Sequence, residues 1–429
     1  MALCQVTSTN NALSYILRKN PATGMTVKSL RHGYVYGWFT DPATYTAYFQ
    51  DSDTEVSYPE RADEAFEYLN ISRFTSPLAF LGVMTTVWDS ALKQPLPEDT
   101  AGFIHTWTAT ALHIPHAALI TQFTDAFPTI TVTTISLAWE TYQVTLTTDP
   151  SMTLHRFLNI VALLLLYAAL ETRQPIDWSD DLITKYLGVL DTVDAPFYIR
   201  SRFRNQVLTS RDRFAKFQAH LQGHPTKNII LAYGNTAQQR RDALKDWVTF
   251  DHPIIDIGCG EGAYVMAWAR RLKELPYYAV DRDPAMIDIV MRKAAKAQLT
   301  NVICATSIQD ILAQEIQGPV TILLTEVLEH MPLDEARTFL TTIVQALPWA
   351  KILITTPNAE FNSFYHLTGF RHPDHQWEFS KDEFSQWVGA TIGGVSSLSL
   401  PIQSHTFGIG DQVNGIHTTT GIVLERVEA

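Results

Sequence analysis

The sequence predicts an α/β domain preceded by an α+β domain, and three observations carry that prediction. At 429 residues the chain is long enough for two domains of roughly 100 to 200 residues, each with its own core. From about Thr226 onward, short apolar runs alternate with helical stretches, the pattern of a parallel sheet built from βα units. Before that point, alternating apolar runs (Ile130 to Ala138, Tyr142 to Thr147) stand beside helical stretches such as Pro77 to Leu92, as in an antiparallel α+β domain. We place the domains at 1–222 and 223–429. Hydrophobic residues make up 46% and charged residues 18%, a globular rather than a disordered composition.

Within the first domain the stretch from Leu154 to about Gln222 reads as helical, with breaks at Asp177 to Asp181 and Asp191 to Pro196. Its most apolar part, Phe157 to Leu170, spans 14 residues and includes Asn159. A membrane span needs ~20 apolar residues, so a buried core helix is expected and no membrane partner. No signal peptide is evident at the N-terminus, and three cysteines (Cys4, Cys259, Cys304) cannot build a disulfide framework. A cytoplasmic location is expected.

The net charge of -12 argues against indiscriminate binding to polyanions. Between Arg200 and Lys245, however, ten Lys or Arg stand against two acids, interleaved with Phe197, Tyr198, Phe203, Phe214 and Phe217. The run suits either a solvated helix face or nucleic acid.

In the second domain, strands are expected at Ile254 to Ile257, Tyr277 to Val280, Val302 to Ala305, Val320 to Leu324 and Lys351 to Ile354. Two later β-rich runs, Val395 to Leu400 and Ile416 to Arg426, would close the sheet. The first strand ends in Asp256-Ile257-Gly258-Cys259-Gly260-Glu261-Gly262, where glycines let the backbone turn sharply toward a ligand. The second ends at Asp281, placed to accept hydrogen bonds from ribose hydroxyls. Dinucleotide-binding dehydrogenases and methyltransferases share that geometry, and Ala263 leaves a relaxed dehydrogenase fingerprint open. Asp256 and Gly262 favour methyltransferase motif I, hence a class I (Rossmann-like, seven-stranded) methyltransferase domain with S-adenosylmethionine held by Asp256, Gly258, Gly260, Gly262 and Asp281. Ser307, past the third strand, is the candidate adenine contact.

The fourth strand runs into Thr325-Glu326-Val327-Leu328-Glu329-His330. If a helix begins there, Glu326, Glu329 and His330 at i, i+3 and i+4 share one face. Two carboxylates and an imidazole suit Mg²⁺, Mn²⁺ or a similar ion; acids complementing a helix dipole are the other reading. After the fifth strand come Thr356-Pro357-Asn358-Ala359-Glu360-Phe361-Asn362 and Asp374-His375-Gln376-Trp377-Glu378-Phe379, where His375 can supply a fourth ligand.

These three segments, in order behind the Gly-rich loop, resemble the RNA 3′-terminal 2′-O-methyltransferases, whose pattern is E-x-x-E-H, T-P-N-x-E-(F/Y)-N and D-H-x-F-E-W. Trp377 and Phe379 exchange the last pair of aromatics. Leu13 to Pro21 and Tyr68-Leu69-Asn70 look like the opening domain of the family's bacterial RNA-repair branch. The resemblance implies that Glu326, Glu329, His330 and His375 are catalytic metal ligands. It also implies a substrate that is the 3′ end of RNA such as cleaved tRNA, and an N-terminal domain that activates a polynucleotide kinase-phosphatase-ligase.

A divalent ion bound to the vicinal hydroxyls of a terminal ribose would lower the pKa of the 2′-oxygen, with His330, His375, metal hydroxide or bulk water as proton acceptor. Arg240, Arg241, Arg371 and His372 are candidate phosphate contacts, and Trp377 or Phe361 a stacking platform for the terminal base. A metal-dependent small-molecule O-methyltransferase and a non-catalytic scaffold for an RNA ligase are the competing readings.

Overall fold

The computed structural model describes residues 2–30, 33–51, 74–172, 178–222, 228–314, 316, 318–395 and 401–427. Tyr68-Leu69-Asn70, Lys227 and all but Val395 of the run 395–400 lie outside them. The chain divides into two compact units, Met1–His224 and Pro225–Ala429.

The first unit is built on a seven-stranded antiparallel sheet: β1 (Ala2–Ser8), β2 (Thr26–Leu30), β3 (Gly33–Asp41), β4 (Thr44–Asp51), β5 (His105–His113), β6 (Ile130–Ala138) and β7 (Thr141–Thr148), in the order β2-β3-β4-β1-β5-β7-β6. Alternation sets its inner face: Ala2, Cys4 and Val6 of β1, Trp107 and Ala109 of β5, and Val144 and Leu146 of β7 are buried. Helices Pro77–Val87 and Leu154–Glu171 pack in this unit's core. The second is started by the Thr153 side chain, which accepts from the Arg156 amide, and only Arg156 and Glu171 escape burial. Buried Asn159 is satisfied, its amide donating to the Leu92 and His155 carbonyls at 3.1 and 2.9 Å. Among the described residues this is the one helix long and apolar enough to cross a membrane, and it is buried inside the unit.

Part of the basic run is spent within the fold. Arg200 is fully buried on helix Phe197–Val207, where its guanidinium donates to the Ala195 and Leu190 carbonyls (2.8 and 2.9 Å) and to Asp191 (3.0 Å). Arg202 pairs with Glu171 at 2.6 Å and Lys216 with Asp180 at 2.6 Å. Phe197, Phe203, Phe214 and Phe217 are buried core residues, not a stacking surface.

The second unit carries an eight-stranded sheet: β8 (Ile229–Ile230), β9 (Ile254–Ile257), β10 (Tyr277–Val280), β11 (Val302–Ala305), β12 (Val320–Thr325), β13 (Trp349–Pro357), β14 (Ile402–Val413) and β15 (Ile416–Arg426), ordered β11-β10-β9-β12-β13-β15-β14-β8. The first five strands from β11 to β13 are parallel; β15 and β14 form an antiparallel hairpin beside them. The expected seven-strand order is present, with two-residue β8 added at the edge. Of the run Val395 to Leu400 only Val395 is described, after the helix Lys381–Gly393; the strand that pairs with β15 is β14. Its glycines blur the apolar alternation, because Gly408 lies where a side chain would strike His417.

Strands β9 and β10 are buried on both faces, as parallel strands between helices must be. Ile255, Ile322 and Ile352 pack on one side with helices Leu333–Ala346 and Lys381–Gly393. Ile254, Leu323 and Leu353 pack on the other with Ala263–Trp268 and Pro284–Lys296. The chain leaves β9 toward β10 on one side and reaches β12 on the other, so β9 and β12 flank the switch point where such sheets bind ligands.

Candidate active site

At that switch point lies a cavity of about 890 Å³, lined among others by Gly258, Asp281, Ser307, Glu326, His330 and His372. The volume is that of a small-molecule site. The turn after β9 requires glycine: Gly258 has φ +73°, and a Cβ there would sit 2.5 Å from Val327 Cγ2. Gly262, at φ +78°, starts the helix Ala263–Trp268. The Gly260 amide donates to Asp281 Oδ2 at 2.8 Å, which ties the loop to the end of β10.

Other residues expected at the donor site serve the fold first. Asp256 is fully buried, accepts from the Tyr277 hydroxyl at 2.9 Å and does not reach the cavity wall. Burial pushes its carboxyl up to about 7 against the opposing effect of that hydrogen bond. Ser307 lines the cavity, but its hydroxyl oxygen accepts from the Asp310 amide and caps the helix Ile308–Leu312.

The segment after β12 departs from the expected helix. Glu326 adopts a left-handed conformation (φ +57°) and its amide continues the ladder to the Thr355 carbonyl at 3.0 Å. A 3-10 turn, Leu328–His330, follows. The shared helix face is therefore absent, and the turn splits the motif. Glu326 points to Arg240, 3.2 Å away, and accepts from Thr355 Oγ1 at 3.1 Å. Such a non-glycine outlier, held in place by its surroundings, is characteristic of functional sites.

Glu329 and His330 meet His375 instead: one donor atom from each lies within 4.8 Å of the others, the one such group among the described residues. The Gln376 amide donates to the Glu329 carbonyl at 2.8 Å and so fastens the loop bearing His375 to the turn after β12. Glu329 is fully buried, yet both carboxylate oxygens lack a partner in the chain. Burial, then the negative charge of Glu326, raises its carboxyl well above the usual range. Burial, then the charges of His375 and His372, lowers the His330 imidazole. Buried carboxylate oxygens with no donor beside two imidazoles fit a divalent cation, which would replace the missing partners. The donor set is richer in nitrogen than the sequence pattern implied.

Of the candidate phosphate contacts, His372 lines the cavity and is exposed. Arg241 lies half-buried on helix Thr236–Leu244. Arg240 is engaged by Glu326. Arg371 is spent on structure: its guanidinium donates to the Thr418 carbonyl (2.7 Å), the Asn358 carbonyl (3.0 Å) and Asn362 Oδ1 (3.0 Å). Phe361 is fully buried, and Trp377 packs on Phe379 and Trp387 while its indole donates to the Met331 carbonyl, so neither presents a face to a base. Sequence reading assigned no role to Thr355 or Glu378. The second stands three residues from His375, a spacing that signals a contact only when the turn between them is known.

The Hen1 N-terminal domain family matches residues 3–226, and a methyltransferase domain family matches residues 254–348. A small RNA 2′-O-methyltransferase of Xenopus tropicalis is 39% identical over 64 residues, 15% of this chain and 17% of that protein. One of Caenorhabditis elegans is 37% identical over 65 residues, 15% of each. The chain thus spans less than a fifth of the length of these curated relatives. In fold, it is similar over 99% of its length to the whole of a chain in the structure of the Pnkp1/Rnl/Hen1 RNA repair complex, with a TM-score of 0.78 and 24% identity.

Proposed function

Since the chain belongs to the family of the Hen1 N-terminal domain and carries a methyltransferase domain behind it, we propose that it methylates the 2′-hydroxyl of the 3′-terminal nucleotide of RNA. In this reading S-adenosylmethionine is the donor and the reaction serves repair of cleaved RNA such as tRNA. The observation that carries the reading is the buried, partnerless Glu329 carboxylate beside His330 and His375, of which His330 lines the same cavity as Gly258 and Asp281.

Glu329, His330 and His375 would hold a divalent ion, whose Lewis acidity would orient a vicinal diol and lower the pKa of its 2′-hydroxyl. Two imidazoles among three donors favour Mn²⁺ over Mg²⁺, which prefers an all-oxygen shell. Gly258 lets the backbone approach the donor, and Asp281 offers its carboxylate to the donor's ribose. Val327, Met331 and Phe339 line the cavity with apolar surface and exclude water from the reacting atoms. Specificity for a terminal ribose follows from the need for two adjacent hydroxyls: an internal ribose or a 3′-phosphate offers only one. A polynucleotide kinase-phosphatase-ligase is the partner we assign to the first unit, on the strength of its family.

The test is transfer of labelled methyl to RNAs ending in a 2′,3′-diol, a 2′-deoxy sugar or a 3′-phosphate, with Mn²⁺ or a chelator. Transfer to the diol end alone, abolished by chelator, is expected. No transfer to any RNA while the donor still binds would overturn the assignment and direct the search to small diols.

A further inference from the structure

The loop that carries His375 contains a closed, buried polar network that the reaction itself does not call for. His375 Nδ1 hydrogen-bonds Glu378 Oε1, and the Glu378 side chain is fully buried. That same oxygen accepts from the Arg371 amide at 2.7 Å, and Glu378 Oε2 accepts from the Asn362 side-chain amide. Asn362 Oδ1 in turn accepts from Arg371 Nε and Nη2 at 3.2 and 3.0 Å. Both oxygens of Glu378 are thus satisfied inside the chain, in contrast to those of Glu329 on the turn after β12.

We infer that Glu378 is a positioning residue for His375: its carboxylate accepts a hydrogen bond from Nδ1–H, fixes the ring and its tautomer, and leaves the Nε2 lone pair as the ligand atom offered toward Glu329 and His330. The inference rests on the proposed metal site. A carboxylate facing the far nitrogen of a ligating histidine raises the basicity of the ligand and locks its orientation. Arg371 and Asn362 hold Glu378 from behind, the first through its backbone amide, while the Arg371 guanidinium braces Asn362 and donates to the Asn358 and Thr418 carbonyls. Glu378 is not itself a ligand in this arrangement, because its oxygens face Nδ1, the Arg371 amide and Asn362.

The experiment is titration of the full chain with Mn²⁺ alone, followed by electron paramagnetic resonance of the free ion. For Glu378→Gln the dissociation constant is expected to rise by about 10- to 100-fold, with S-adenosylmethionine binding unchanged. In a His375→Ala background the same substitution is expected to cost no further affinity, since its effect passes through that ring; a purely structural role would lower affinity in both backgrounds. If Glu378→Gln fails to fold, Asn362→Ala, which frees Glu378 on one side only, takes its place with the same dependence on His375. Wild-type affinity in Glu378→Gln overturns the positioning role while the metal site stands. Absence of Mn²⁺ binding in the unsubstituted chain overturns the site and the role together.

Discussion

Arg200 in the first unit and Glu329 in the second are both charged side chains removed from water, and the fold treats them in opposite ways. Arg200 donates to two carbonyls and a carboxylate, so its burial closes the turn between helices Asp180–Thr192 and Phe197–Val207. Glu329 has no donor for either oxygen. A buried charge without a partner costs several kcal/mol or neutralises itself, so a chain that keeps one keeps it for a ligand. In the sequence both belonged to candidate functional runs; hydrogen-bond satisfaction is what separates them.

The sharpest way to break the comparison is Glu329→Ala. Methyl transfer is expected to fall by about 10³-fold or more, the several kcal/mol that charge stabilisation at such a site supplies, while the melting temperature of the metal-free protein holds or rises. A lower melting temperature would mean that Glu329 serves the fold. Arg200→Ala is expected to do the reverse, costing about 2–4 kcal/mol in urea unfolding because it leaves the buried Leu190 and Ala195 carbonyls without their donor, with donor affinity of the folded protein intact.

Gly258→Ala lies between the two classes, since the residue serves both turn and cavity. A left-handed alanine costs about 1–2 kcal/mol before the contact with Val327 is counted, and calorimetry should show weaker donor binding as well. Asp256 sharpens the contrast through pH. Its carboxyl ionises in the ordinary acidic range when unfolded but only near 7 in the fold, so across that window the folded state binds more protons and stability falls as pH rises toward and through 7. Between pH 6 and 8 the melting temperature should drop by about 2–4 °C from this group, and Asp256→Asn should remove that slope. The smallest effect is expected for Arg202→Ala, whose partly exposed pairing with Glu171 is worth at most about 1 kcal/mol; a larger loss would place it with Arg200.

Much of the second unit could be read from local pattern. Five parallel strands, the glycine turn and Asp281 follow from runs and punctuation a few residues long, and the cavity lies where those strands end. The segments bearing Glu329, His330 and His375 were legible because chemistry-bearing residues crowd them. Their grouping was not. A helical period from Glu326 predicts three ligands on one face, whereas the left-handed turn at Glu326, set by its ladder to Thr355, sends that carboxylate to Arg240. Strand β14 escaped because Gly408, against His417, and Gly410, against Thr418 and Gln239, interrupt its alternation. Composition left the basic run open between a solvated face and nucleic acid and made Arg371 a candidate phosphate contact, because it records that a charge is present and not whether its donors are already taken.

By itself the sequence determined two kinds of sheet, the glycine-rich turn after β9 and the identity of the groups available for chemistry, because all of these are written in periodicity and residue type over short stretches. Tertiary structure alone decided which polar groups are spent and which are spare. Arg200 is consumed by the Leu190 and Ala195 carbonyls just ahead of its own helix and Arg371 by the Thr418 and Asn358 carbonyls, His375 is oriented by Glu378, and the oxygens of Glu329 are left over. Hydrogen-bond satisfaction in a dry interior depends on every neighbour at once, and those neighbours are assembled only by the fold.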